Sequence, residues 1–129
     1  MAIFEEWDIV RVPFPYTDRP VRQRRPALVI AAGEIEVMHG LLWLVMITSA
    51  GNRGWPSDVG ISDLRTAGLP APSIVRSAKI ATVDARDAQR LGTLPQADRE
   101  AVASRLRDIF SGALNSSRTS QHRRDRPNC

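Results

Sequence analysis

Apolar and polar residues alternate along the first part of the chain with the two-residue period of half-buried strands. Asp8-Ile9-Val10-Arg11-Val12 shows this pattern, and Pro13 predicts the end of its ladder pairing. Pro26-Ala27-Leu28-Val29-Ile30-Ala31 is a nearly continuous apolar run, as expected of a strand covered on both faces. Glu34-Ile35-Glu36-Val37-Met38 alternates again. His39-Gly40 then predicts a tight reversal, with His39 solvated, into an apolar strand over 41–48. Residues 58–61, 73–76 and 79–83 predict further short strands, and Ser62-Asp63-Leu64 the cap of a single helical turn. Trp7 and Trp43, in or beside strands, are expected in the core.

The period changes near the C-terminus. Between 96 and 111, Val102, Leu106, Ile109 and Phe110 recur at three- and four-residue steps, with Ala113 just beyond, and predict one amphipathic helix stopped by Gly112. Serine, arginine and asparagine dominate after Leu114, a composition that cannot offset its own ordering entropy. The pattern therefore predicts one domain over 1–114 and a disordered basic tail over 115–129. Its fold class is α+β and mainly β: about six short, mostly antiparallel strands closed by a C-terminal helix into a small barrel.

Composition narrows the function. With 129 residues there is room for one ordinary domain. The longest apolar run, 41–47, is far shorter than the roughly 20 residues a membrane helix needs. Glu5, Glu6 and Asp8 stand where the apolar core of a signal peptide would lie. The only cysteine is Cys129, so no intrachain disulfide is available, in keeping with a reducing cytoplasm. Net charge is +4, of which the tail carries +3 through Arg118, Arg123, Arg124 and Arg126 against Asp125. The body is close to neutral, yet Arg19, Arg22, Arg24 and Arg25 fall within seven positions, and Lys79 is the only lysine. Arginine's planar fork of donors suits phosphate, although a GC-rich genome produces the same bias.

Several chemistries are disfavoured. His39 and His122 are the only histidines and neither has a nucleophile or ligand partner nearby in sequence. No phosphate-binding glycine motif and no paired acidic cluster for magnesium is present. An enzyme built from this chain is expected to work without metal, cofactor or histidine, using arginine, hydroxyls and one carboxylate.

Trp7-Asp8-Ile9-Val10-Arg11-Val12-Pro13-Phe14-Pro15-Tyr16-Thr17-Asp18, then Arg24-Arg25-Pro26-Ala27-Leu28-Val29-Ile30, resembles the opening of the MazF/PemK family of toxin–antitoxin ribonucleases. The resemblance continues through Ile47-Thr48-Ser49, the 73–84 segment, Leu91-Gly92-Thr93-Leu94 and the terminal helix, covering 7 to about 112. It implies an SH3-like barrel, a homodimer, metal-independent cleavage of single-stranded RNA such as mRNA, and a cognate antitoxin that blocks the RNA groove. It also implies that Arg25, ahead of the proline, and Thr48, at the end of the central strand, belong to the catalytic site.

The physics of those two residues is compatible with that role. Attack of a ribose 2′-OH on the adjacent phosphorus, giving a 2′,3′-cyclic phosphate and a 5′-OH, builds negative charge on the phosphoryl oxygens. Fixed donors stabilise such charge by about 10²–10³-fold each. Pro26 restricts the backbone of Arg25, making a rigid mount, and the Thr48 hydroxyl is a second donor. Taken singly, Arg25 reads as a surface ion-pair partner and Thr48 as a β-branched strand residue; the matched spacing of the two points instead to a shared site. The family's acidic loop residue is replaced here by Pro20, so Asp18 is the nearest candidate base, or else a turn-forming residue. Arg22, Arg24, Arg53 and Lys79 are candidates for the RNA backbone, Lys79 alternatively a plain surface charge. Ser49 and Asn52 are candidates for base edges. Trp55 is either a stacking surface or a loop anchor, and Arg76 either faces the site or pairs with Asp84. Two other readings remain open: a non-catalytic module on the same barrel that grips an antitoxin or a topoisomerase, and loose nucleic-acid binding by the tail alone.

Overall fold

A computed structural model describes residues 2–14, 23–52 and 54–115. Asp18, Arg22, Arg53 and the tail from 116 onward, all singled out by the sequence, lie outside the described residues. Strand β1 (Asp8–Phe14) is followed by β2 (Gln23–Ala31), helix α1 (Glu34–His39) and β3 (Leu41–Ser49). Then come β4 (Asp58–Gly60), the short helix α2 (Leu64–Ala67), β5 (Ser73–Asp84), a 3₁₀ turn (Ala85–Asp87), β6 (Gln89–Thr93) and α3 (Gln96–Leu114). The strands form one antiparallel sheet in the order β4-β5-β3-β2-β1-β6, with β4 and β6 at its ends rather than paired into a closed barrel.

The sheet buries both faces. Ile9, Leu28, Val45, Ile47 and Val75 meet Val102 and Leu106 of α3 and Ala67 of α2 on one side. Val10, Val12, Ala27, Val29, Leu42, Leu44 and Met46 pack with Phe4 on the other. These sets alternate along each strand, as the pleat requires. The terminal helix is fixed at its start by Asp98, whose buried carboxylate accepts from the Ser62 amide at 2.8 Å and hydroxyl at 3.0 Å.

Several local expectations give way to tertiary context. Residues 34–39 form a helix, not a strand. Gly33 and Gly40 take positive φ on either side of it, and the Glu36 carboxylate turns inward to accept the Ile3 and Phe4 amides, each at 2.9 Å. His39 is thus the last residue of a helix, exposed as expected. Pro13 does not end β1, because β6 pairs only as far as Arg11 and a missing N–H is tolerated beyond it. The segments 73–76 and 79–83 are one strand, with the residues between them absorbed by a bulge opposite Val45 and Met46. Gln89–Thr93 is a strand that its polar, glycine-bearing sequence does not announce. Helix α3 runs past Gly112, and its buried stripe ends at the half-buried Phe110, leaving Ala113 exposed. Trp7 is half-buried against the helix-side core, whereas Trp43 is exposed. Among the described residues, no helix is long and apolar enough to cross a membrane.

Candidate nucleic-acid interface

Pro26 has no N–H to give to β3, and the β2–β3 ladder has its last pair at Ala27 and Met46. Arg25 is two residues beyond Ala27 on one strand, and Thr48 two beyond Met46 on the other. Two-residue alternation therefore puts Arg25 and Thr48 on the same face of the sheet, at the open end of the ladder. Both line one cleft of about 430 Å³, together with Arg24, Ser49, Arg11 and the segment 68–73. The sequence pointed to Arg24, Arg25, Thr48 and Ser49. It did not point to Arg11, which faces Pro26 across the β1–β2 pair, or to the segment 68–73, whose Gly, Pro, Ala, Pro run reads only as a chain break.

The charge of this cleft is one-sided. Three guanidiniums border it, and no carboxylate is present among its described lining residues. Thr48 is itself held: Asn52 Nδ2 donates to Thr48 Oγ1 at 2.5 Å. A hydroxyl that accepts keeps its own proton to donate elsewhere, and accepting strengthens it as a donor. Ser49 Oγ accepts from the Gly51 amide at 3.2 Å, and the Ala50 amide donates to the Pro72 carbonyl at 3.0 Å. The loop after β3 is thereby tied to the cleft's far wall. Lys79 is placed elsewhere. It sits in the β5 bulge, five residues beyond the Thr48 partner Ile74, and does not line the cleft.

Arg76 does not pair with Asp84. Its Nε and Nη2 donate to Asp58 Oδ1 and Oδ2 at 3.2 and 3.0 Å, and the two side chains are only 11% and 9% exposed. Burial pushes the Asp58 carboxyl up, but hydrogen bonds from Arg76 and from the Trp55 amide outweigh it, so the group titrates below its usual range. Asp84 instead holds Arg86, two residues on. No three of the described His, Cys, Asp and Glu residues stand together as a metal site.

The comparisons with known proteins agree on one fold. A MazF from Deinococcus radiodurans is 22% identical, with a TM-score of 0.68 over 84% of this chain and 97% of that one. The Mycobacterium tuberculosis toxin MazF-mt6 is 21% identical, with a TM-score of 0.63 over 81% and 96%. A mycobacterial endoribonuclease solved in complex with its cognate antitoxin is 16% identical, with a TM-score of 0.65 over 82% and 93%. No curated protein matches the chain. A family model described as PemK-like, MazF-like toxin of type II toxin–antitoxin system matches residues 5–110, and with the cleft at the end of β2 and β3 this chain belongs to that family.

Proposed function

We propose that this chain is a metal-independent endoribonuclease that cuts single-stranded RNA, acting as the toxin of a toxin–antitoxin pair. One observation supports this above the others: Arg25 and Thr48 share a face and a cleft lined by three guanidiniums and, among described residues, no carboxylate. In this reading a phosphodiester binds at Arg25, with Arg11 and Arg24 holding the neighbouring backbone. The ribose 2′-oxygen attacks phosphorus, the bond to the 5′ oxygen breaks, and charge on the phosphoryl oxygens meets the Arg25 guanidinium and the Thr48 hydroxyl. A guanidinium has donors and no acceptor, so Arg25 stabilises charge. Asp18 accepts the 2′-OH proton, and water protonates the departing 5′ oxygen. Arg22 and Arg53 contribute phosphate contacts, Lys79 a contact with backbone beyond the cleft, and Ser49 reads a base edge. Asn52 orients the Thr48 hydroxyl through its amide nitrogen and keeps its Oδ1 and second N–H for a base edge.

The test is incubation of purified protein with a long RNA in EDTA, followed by mapping of the ends. Cyclic-phosphate and 5′-OH ends that disappear in Arg25→Ala support the assignment. Intact RNA under these conditions overturns it. Two partners come with the proposal: a second copy of the chain, checked by sedimentation, and an antitoxin segment that competes with RNA for the cleft.

Pro20, standing where the family resemblance places an acidic loop residue, favours one other reading, a binding module on the same fold that grips an antitoxin or a topoisomerase without cutting RNA. Tight RNA or protein binding with no cleavage at any pH distinguishes it.

A further inference from the structure

Trp55 is fixed in place and yet faces outward. Its amide donates to Asp58 Oδ2 at 2.8 Å, and its carbonyl accepts from the Asp58 amide at 3.0 Å. Its ring lies 4.1 Å from the guanidinium carbon of Arg76. Arg76 is clamped in turn by both oxygens of Asp58. Despite these ties, 42% of Trp55 remains exposed. An indole serving only to anchor a loop gains most by sinking into the core. This one is held by its backbone and by a cation over one ring face, which leaves exposed surface that a second planar group can reach.

Its position relative to the cleft follows from the register. Arg76 pairs with Met46 on one side and Asp58 on the other, and Ile74 pairs with Thr48. Paired residues share a face, so Arg76 and Asp58 stand on the same face as Thr48 and Arg25. Arg76 is a diagonal neighbour of Thr48, at about 7–8 Å.

We infer that Trp55, backed by Arg76 and Asp58, is a stacking platform for one unpaired base of a strand whose phosphate lies at Arg25 and Thr48. The inference deepens the RNA reading above and rests on it. Stacking on an indole accepts any base, since every base has a π-face, so the platform supplies affinity and register more than sequence choice. The half-buried Asp58 keeps the guanidinium seated, and the ring is ordered before RNA arrives, so binding carries little ordering cost.

The experiment uses a short RNA analogue made uncleavable by 2′-O-methyl groups, with an abasic unit placed at each position in turn. The full-length protein is compared with Trp55→Ala and Trp55→Phe, each checked by thermal unfolding. Wild type is expected to lose about tenfold in affinity when one particular position is abasic. Trp55→Ala should bind the intact analogue about tenfold more weakly and be insensitive to that abasic unit, whereas Trp55→Phe should recover most of both effects. Equal sensitivity in wild type and Trp55→Ala, or no binding by wild type, overturns the platform. Loss of antitoxin binding with RNA affinity unchanged assigns Trp55 to a protein partner and overturns it too. Cleavage is scored separately: abasic sensitivity through Trp55 without any cutting keeps the platform and removes the nuclease, while cutting indifferent to Trp55 does the reverse.

Discussion

The two ends of the β3–β5 pair are built from the same parts and differ in how those parts are held. Each has a tryptophan 42% exposed, Trp55 near the cleft and Trp43 about 16 Å back along β3. Each also has an aspartate bound through both oxygens by an arginine. At the cleft end, Asp58 and Arg76 are 18 residues apart, join β4 to β5, and are almost fully covered. At the other end, Asp84 and Arg86 are two residues apart and the arginine is 87% exposed. Both carboxyls titrate below their usual range. Asp84 does so chiefly through the Arg86 side chain, and Asp58 against the opposing push of burial. A pair that neighbours itself in the unfolded chain orders little, whereas one that bridges strands fixes a loop and everything on it. Preorganisation, not residue type, marks the end at which a ligand is expected.

Four measurements sharpen or break this contrast. The largest effect belongs to Arg25→Ala, expected to lower the cleavage rate by about 10²–10³-fold while thermal unfolding is unchanged. Its far-end counterpart Arg86→Ala should cut RNA at the wild-type rate. Equal losses in the two would dissolve the distinction. Next comes Asp58→Ala, which takes both carboxylate oxygens from a covered guanidinium and the acceptor from the Trp55 amide, and should cost about 3 kcal/mol in denaturant unfolding. Asp84→Ala, which loses an exposed pair and the cap of the 3₁₀ turn, should cost about 1 kcal/mol or less.

Acid unfolding gives a third, smaller effect. The Asp58 pKa is lower in the folded protein than in the unfolded chain, so its stabilisation is complete above the unfolded value, near pH 4. That contribution is lost as pH falls through the unfolded value toward the folded one. Arg76→Met removes the guanidinium hydrogen bonds and should flatten the wild-type loss of stability below about pH 4; an unchanged slope would refute the linkage. The smallest effect is expected of Asn52→Ala, a drop in kcat of about threefold to tenfold, because the aim of the Thr48 hydroxyl is lost. A raised KM with kcat intact would instead confine Asn52 to the base edge.

Strands β2 and β3 were legible as apolar runs, while the roles proposed for the residues at their ends came from the family resemblance. Arg25 and Pro26 announce themselves as a cation ahead of an apolar run, and Thr48 as the last residue of another. Both signals are local. What depended on distant residues was hidden. Glu36 lies in a segment alternating as a strand does, and becomes helical where glycines allow sharp turns and its carboxylate meets the Ile3 and Phe4 amides. The Asp58–Arg76 pairing is set by the register of β4 on β5, whereas the sequence offered Arg76 only a place facing the site or Asp84 as a partner. Arg11 enters the cleft only because β1 lies beside β2. Asn52 reads from the sequence as a base-edge candidate alone, and its hold on Thr48 needs the folded loop.

At the end of α2, Gly68 has a φ of +74°, and a Cβ there would sit 2.1 Å from the Leu91 carbonyl oxygen. A Cβ on Gly92 would meet the Thr66 carbonyl oxygen and the Ala67 carbonyl carbon at 2.5 Å, so the two backbones touch directly. The segment 69–73 leaves this contact to line the cleft, and its standing depends on two missing methyl groups. If the chain arrests growth as proposed, survivors of its expression should repeatedly carry alanine at codon 68 or 92. Such escape alleles would disarm the protein while leaving every arginine and hydroxyl proposed to hold the phosphate unchanged.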